Sequence, residues 1–435
     1  MTRRRAARHR RSAAPRGGRG ARVGLFGLLG SGNIGNDGSL EVVLRYLRTD
    51  HPDIVLDAMC AGPERLEDRY GVRATPLQWH QKYERASGVT ALALKALGKG
   101  IDPFRTASWV RRHDVVIVPG AGALEATLPI RPWGLPYSLL LMCASGKLFG
   151  TKVAFVSVGA NVMSKRLTRW LSNAAARLAF YRSYRDVLSQ DAMRQRGLDA
   201  GKDPVFPDLV FALPTPPHDA GDPRTVGVGV MAYYGSNDDR ADADEIHARY
   251  MDTMKRFVRW LADSGYRIRL FAGDNRFDDS VVQEILADLR SHRPGLEAAW
   301  AVGEPVTSLR DLMRVLAPVG TVVAIRYHNV ISALKLSKPT LSLSYAAKHD
   351  VLMAGVGLSE FCLPARTVDV DQLIERFTQL EARSAELRAT VSERNATTMQ
   401  QVEKQFALLS ALLLPGSKPA PRRAAAEREP AREAC

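Results

Sequence analysis

Between Ala21 and Ser183 the chain alternates two patterns of apolar and polar positions. Short β-branched runs, ARVGLFGLL, DIVLDAM, DVVIVPGAG and KVAFVSVGAN, read as strands. Between them SLEVVLRYLRTD, LPYSLLLMCASGKLF and LTRWLSNAAARLAFYRS place apolar residues three and four apart, the spacing of helices laid on a sheet. Such alternation predicts a parallel sheet covered on both faces. Around PVFPDLVFALPTPPHDAGDPRT the prolines crowd and the periodicity stops, which marks a linker. A second series follows: the strand TVGVGVMAYYG, the helix ADEIHARYMDTMKRFVRWLADSG, the strand YRIRLFAGD, the helix DSVVQEILADLRS and a last strand–helix–strand from Val322. The run from Val368 to Leu414 has helical spacing and is expected to cross back onto the first half. The predicted fold is α/β, two Rossmann-like domains facing across a cleft. Its bounds are a basic tail at 1–20, a first domain at 21–205, a linker at 206–224, a second domain at 225–366, a helical segment at 367–414 and a tail at 415–435.

Charge changes this picture less than its total suggests. The formal net charge is +15, a value that would point to nucleic acid or an anionic membrane if spread over the body. The first twenty-two residues hold nine arginines and no acid, and the stretch from Gly416 holds five Lys/Arg against three Glu, which leaves +4 for everything between. No specific nucleic-acid partner is expected, and membrane contact at most peripheral, through the arginine tail. Both tails have the composition of disorder. VGLFGLLG, after the basic residues, is too short for a secretory signal and leads straight into a glycine turn. No apolar run is long enough to span a bilayer. Cys60, Cys143, Cys362 and Cys435 are scattered without zinc or redox spacing, as in reduced cytoplasmic proteins. The expected location is the cytoplasm, with the inner face of the membrane as the variant.

Four stretches could carry chemistry. In GLLGSGNIGNDGSLEVVL a strand enters a helix through Gly30, Gly32, Asn33, Gly35, Asn36 and Asp37, a geometry that suits an anion at a helix N-terminus. Gly30-Ser31-Gly32-Asn33-Ile34-Gly35 also fits a dinucleotide fingerprint, with Asp53 or Asp57 as ribose partner. The other reading is a tight turn capped by Asn36 or Asp37. VVIVPGAGALE sets Gly120 and Gly122 at another strand end, facing the same crevice or simply packing closely. In SYRDVLSQ, Arg185 and Asp186 end a strand, with Ser189 as a helix cap; Arg185 is a ligand or half of a surface pair.

The fourth is VVAIRYHNVISALKLSKPTLSLSYAAKHD. A strand ends at Arg326-Tyr327-His328, Asn329 would cap a helix, and Lys348 follows the next strand. In extended geometry Arg326 and His328 share one side. A guanidinium, an imidazole and an ammonium beside a cleft would bind a small, multiply charged anion with a proton to move. The alternative is a buried, satisfied histidine and a structural arginine pair. Spacing leaves both open.

Taken in order, GNIGNDGSLEVVL, VIVPGAGALE, SYRDVLSQDAMRQRGL with FPDLVFALP, and RYHNVISALKLSKPTLSLSYAAKHD resemble the polysaccharide pyruvyl transferase family. The resemblance covers nearly everything between the tails. Arg-x-His, a helix, Ser-x-Pro, a strand and Tyr-x-x-Lys carry it furthest. It implies a fold similar to GT-B glycosyltransferases and transfer of the enolpyruvyl unit of phosphoenolpyruvate onto two sugar hydroxyls as a cyclic ketal. It implies no metal or redox cofactor, with phosphoenolpyruvate as donor and a sugar, lipid-linked or free, as acceptor. Arg326 and Arg185 would then clamp the donor, and His328, titrating near neutrality, would protonate C3 or assist phosphate departure. Lys348 would steady the phosphate and Tyr345 orient the donor. Asn33, Gly35, Asn36, Asp37, Gly120 and Gly122 would line the acceptor side. The first turn and the Ala346-Ala347 pair before Lys348 depart from the family's usual residues. Two rivals stand beside this reading: a nucleotide-sugar glycosyltransferase, with Glu304 on the ribose, and an envelope-assembly scaffold without turnover.

Overall fold

The computed structural model describes residues 20–83, 87–125, 131–235, 239, 241–273 and 275–415. Apart from Gly20 and Pro415, the two tails lie outside the described residues. The first half runs β1 (Arg22–Gly27), α1 (Ile34–Asp50), β2 (Val55–Cys60), α2 (Pro63–Tyr70), β3 (Arg73–Pro76), α3 (Gly88–Val110), β4 (Val115–Pro119), α4 (Leu135–Phe149), β5 (Lys152–Val158), α5 (Arg166–Leu178), β6 (Tyr181–Tyr184) and α6 (Val187–Gln195). The second runs β7 (Asp222–Val230), α7 (Ala243–Asp263), β8 (Arg267–Ala272), α8 (Asn275–His292), β9 (Ala301–Glu304), α9 (Leu309–Leu316), β10 (Val319–Ala324), α10 (Tyr327–Lys335), β11 (Thr340–Ser344), α11 (Lys348–Gly355), β12 (Cys362–Pro364), α12 (Val370–Ala382) and α13 (Ser384–Leu413).

The two sheets share one topology. Their orders are β3-β2-β1-β4-β5-β6 and β12-β11-β10-β7-β8-β9, and every pairing is parallel. Numbered within each half, both are the doubly wound order 3-2-1-4-5-6, whose crevice opens beside the first strand at the carboxyl edge. β4 and β10 are buried along their whole length, which is why they read as unbroken apolar runs rather than alternating ones.

Residues 206–221 join the halves and include a single 3-10 turn, Leu209–Ala212, packed on α1, α10 and α13. Helix α13 then returns to the first domain. Its fully buried Gln405 accepts from Ser157 Oγ at 3.0 Å and donates to Ser183 Oγ at 3.0 Å. Further along, Ser410 Oγ bonds Tyr46 OH at 2.6 Å and Lys152 Nζ donates to the Leu412 carbonyl at 2.7 Å. Toward its start, Asn395 donates to the Leu334 carbonyl on α10 at 2.6 Å. One helix thus hydrogen-bonds both domains and holds the two crevices face to face. Helix α3 escapes a reading by periodicity, because its opening GVTALALKALG is apolar on every side and shows no stripe.

Candidate active site

The site forms where the two crevices meet. β10 stops at Ala324, Arg326 takes the N-cap position with extended φ and ψ, and α10 begins at Tyr327. The expected extended turn through His328, capped by Asn329, is therefore corrected. His328 belongs to the first helical turn, so it and Arg326 point apart rather than to one side. The imidazole reaches the first domain and lies on Gly35, in the opening turn of α1, where a Cβ would overlap the ring. Gly35 is glycine because the opposite domain occupies the place of its side chain.

Around Tyr327 the domains exchange charges. Arg185, 6% exposed, follows β6 and pairs with Glu125 from the turn after β4. It also stands 3.6 Å from both Asp208 and Asp186, and its guanidinium lies 4.9 Å from the centre of the buried Tyr327 ring. Lys348, the first residue of α11, brings Nζ to 3.8 Å from Glu125 and to 5.2 and 5.4 Å from the Tyr327 and Tyr345 rings. His328 Nε2 is 3.9 Å from Asp208 Oδ2, too long for a hydrogen bond. Among the described residues neither buried atom has a hydrogen-bond partner, so both retain capacity for a ligand.

Burial and the nearby Arg185 and Lys348 cations push the His328 imidazole down to about 4, against the opposing pull of Asp208 and Glu125. The expectation of titration near neutrality fails for the unliganded protein: this histidine rests neutral. Burial pushes His349 down to about 3, with Lys348, Arg185 and His328 adding to it. Its Nδ1 pairs with Ser342 Oγ at 2.9 Å and its ring meets Tyr345 edge-on. For Arg185 burial opposes the charge, yet Glu125 and the other anionic neighbours outweigh it and hold the guanidinium protonated.

The remaining predicted residues fall into two sets. Arg326 forms a bidentate pair with Asp278, at 2.6 and 2.7 Å, inside the second domain. Asp278 is fully buried and also accepts from the Ala232 N–H, so the Arg326 fork is engaged in holding α8 and the end of β7. In the first turn it is Asn33 that caps α1, accepting from the Gly35 and Asn36 amides, and neither Asn36 nor Asp37 does. Buried Asp37 instead accepts from the Gly30 amide at 2.8 Å, and Asn36 donates to the Leu28 carbonyl. These side chains secure the turn, and Gly35 is the part that meets His328. Gly120, with φ of +51°, packs on Ser39 beneath it, and Gly122 packs on the Glu125 side chain. Asp186, not Ser189, caps α6.

The dinucleotide reading loses its acid. β2 ends in Cys60, and Asp57, further back, is paired with buried His113 at 2.7 Å. Asp53 lies before β2, in the loop against Gly20. Glu304 is paired with Arg269 at 3.1 Å. Among the described residues no group of His, Cys, Asp and Glu is placed to hold a metal.

Sequence reasoning passed over Glu125, Asp208, Gly159 and His349. Glu125 stood at the end of a motif read for its glycines, and Asp208 inside a stretch read as linker. At Gly159 a Cβ would strike both Glu125 and Arg185. The usable signal was the strand-end position of Glu125; nothing local marks the others.

Two crevices of one topology, facing each other with side chains from both at the seam, define the GT-B class. Solved structures bear this out at the level of fold. A UDP-GlcNAc 2-epimerase from Methanocaldococcus jannaschii aligns with TM-score 0.55 and 10% identity over 82% of this chain and 92% of its own. A glycosyltransferase from Rickettsia africae gives 0.55 and 10% over 91% and 99%. Anabaena HepE, solved with UDP and glucose, gives 0.51 and 13% over 88% and 99%. No curated protein matches the chain. Residues 33–346 match the model of the polysaccharide pyruvyl transferase family. The chain belongs to that family.

Proposed function

We propose that the protein transfers the enolpyruvyl unit of phosphoenolpyruvate onto two hydroxyls of a sugar, closing a cyclic ketal and releasing phosphate. The observation that carries this reading is the seam around Tyr327, where Arg185 and Lys348 both flank Glu125 and His328 retains an unpartnered nitrogen. Two cations held by one carboxylate can be taken over by a ligand with its own carboxylate and phosphate. The Glu125 position thereby becomes the place where the donor competes.

A phosphate dianion beside His328 counters the two cations that keep the imidazole neutral, so donor binding favours its protonation. His328 then gives its proton to C3, and C2 becomes electrophilic. One acceptor hydroxyl adds to C2 and loses its proton to Glu125, displaced from its cations. The C2–O bond to phosphate breaks, with Lys348 and Arg185 taking up the developing charge. The second hydroxyl adds and gives its proton to the His328 imidazole, which leaves the ketal and free phosphate. Electrons balance without a redox cofactor or metal. Tyr345 orients the donor, and the Asn33–Asp37 turn with Gly120 and Gly122 shapes the acceptor side. Arg326 is assigned to holding the α10 entry rather than to the donor.

The test is purified protein with labelled phosphoenolpyruvate and a panel of sugar acceptors, read by phosphate release and by the mass of the pyruvylated product. His328→Ala should abolish transfer with donor affinity little changed. Binding of nucleoside diphosphates with none of phosphoenolpyruvate would overturn the proposal in favour of glycosyl transfer. Donor binding without release over the whole panel would favour a scaffold.

A further inference from the structure

The layer of α3, α4 and α5 covers the face of the first sheet turned away from the second domain, α4 lying between its neighbours. The other face carries α1, which packs on the Leu209–Ala212 turn and on α9. Beneath the outer layer lies a core of its own, with Trp109, Leu139 and Phe155 fully enclosed. On top the layer leaves large apolar side chains in the open. Val89, Leu92 and Phe104 of α3 are 84, 69 and 79% exposed, and Trp170 of α5 is 59% exposed. In the opening of α3, residues 88–98, Gly98 is the sole buried position, although Lys95 is the one charged side chain there. A helix that is apolar all round is ordinarily covered, and several large apolar side chains exposed on one helical layer mark a contact surface.

Charge says what covers it. Residues 88–112, 131–151 and 161–180 contain eleven Lys/Arg and one acid, Asp102. That acid is buried, bonded to Arg105 and to the Trp79 amide. The chain between the tails sums to +4, so the layer carries +10 of it and the remainder −6. The body that looked balanced is strongly polarised. A second copy on this face would set two such cationic surfaces together, whereas anionic headgroups complement it.

We propose that the outer face of α3–α5 docks the protein on a membrane rich in anionic lipid. Leu92, Phe104 and Trp170 enter the headgroup boundary, and the lysines and arginines keep their heads at the phosphates while their stems lie on the apolar surface. α5 begins where β5 ends, at the sheet edge that bears Gly120 and Glu125, so Trp170 stands on the cleft side of the layer. A bilayer seated here would present a lipid-carried acceptor at the cleft. That last step rests on the pyruvyl-transfer reading; the docking itself does not.

The experiment takes the full chain with vesicles of phosphatidylcholine alone, or mixed equally with phosphatidylglycerol, with and without brominated acyl chains. Flotation with the anionic vesicles and quenching of tryptophan fluorescence by the bromines are expected, and Trp170→Phe should lower that quenching, Trp133 being the other exposed tryptophan of the layer. Leu92→Glu with Phe104→Glu should weaken vesicle binding about tenfold or more and leave phosphate release on a water-soluble acceptor unchanged. The arginine tail contains no tryptophan, so vesicle binding without quenching, indifferent to the double variant, would make the tail the anchor and overturn the proposal. Absence of binding would overturn it too, as would a wild-type dimer that the double variant turns into monomer. Failure of pyruvyl transfer would leave flotation and quenching intact, so the two ideas fail separately.

Discussion

Gly35→Ala isolates the contact that joins the two halves of the site. Gly35 is the second residue of α1 and does not belong to the glycines with positive φ, so alanine fits its backbone. Within a helix the change from glycine to alanine favours folding by up to about 1 kcal/mol. The added methyl, however, lands inside the His328 imidazole. Restoring an ordinary carbon contact requires the ring, or the whole second domain, to withdraw by at least about 1.5 Å. Misplacement by about 1 Å already costs a reaction about 100-fold. The expectation is an unusual pairing: kcat for phosphate release down about 100-fold, with the calorimetric unfolding temperature within about 4 °C of wild type. Saturating phosphoenolpyruvate separates the catalytic loss from weaker binding. A Gly35→Ala protein that keeps kcat within about twofold would refute the reasoning, because the closed His328–Gly35 contact would then not belong to the working enzyme.

Other expectations rest on the same seam. His328 and His349 are held neutral, at about 4 and about 3, while unfolded histidines take protons near 6.5; stability should therefore be full above about pH 6.5 and decline as pH falls toward 4. Urea midpoints across that range should show the slope, and His328→Gln with His349→Gln should flatten it. Arg185→Met leaves Glu125, Asp186 and Asp208 around a buried site without their shared cation and should cost roughly 3–5 kcal/mol along with donor affinity. Arg185→Lys should recover much of the stability in the same melts but little of the turnover. Arg326→Met strands fully buried Asp278, at a similar roughly 3–5 kcal/mol, yet the folded fraction should bind phosphoenolpyruvate nearly as wild type does; a large loss of affinity by calorimetric titration would return Arg326 to the donor clamp. Gln405→Ala removes both serine contacts of α13 and should lower stability by about 2–3 kcal/mol, readable by denaturant unfolding.

Much of the architecture follows from local pattern. A strand buried on both faces must be apolar throughout, and a helix on a sheet must repeat every three or four residues, so the inner strands of both doubly wound halves can be read. The short outer strands β3, β9 and β12 and the short helices α2, α9 and α11 hold too few residues to show a pattern. Helix α3 is a gap with a different physical cause. Its stripe is masked because its outer side is apolar as well, a feature that only exposure in the folded layer reveals.

The site divides along the same line. Glycine turns at strand ends, Arg185, the Arg326–His328 step and Lys348 can be picked out as residue types at sheet edges, because crevice positions in parallel sheets are a matter of connectivity. Which arginine faces the cleft is a matter of direction. Arg326 and His328 differ by two positions, and whether they share a side depends on whether the backbone there is extended or helical. The helix beginning at Tyr327 turns Arg326 to Asp278 and His328 to Gly35. The protonation of His328 likewise depends on burial between domains and on cations brought from positions 185 and 348. Chain order alone determined two facing α/β halves and a basic strand end at 326–328. The partners across the cleft, the neutral histidine, and the gathering of eleven cations in one outer layer were decided by tertiary structure, because each depends on groups far apart in sequence sharing one small, poorly solvated or exposed space.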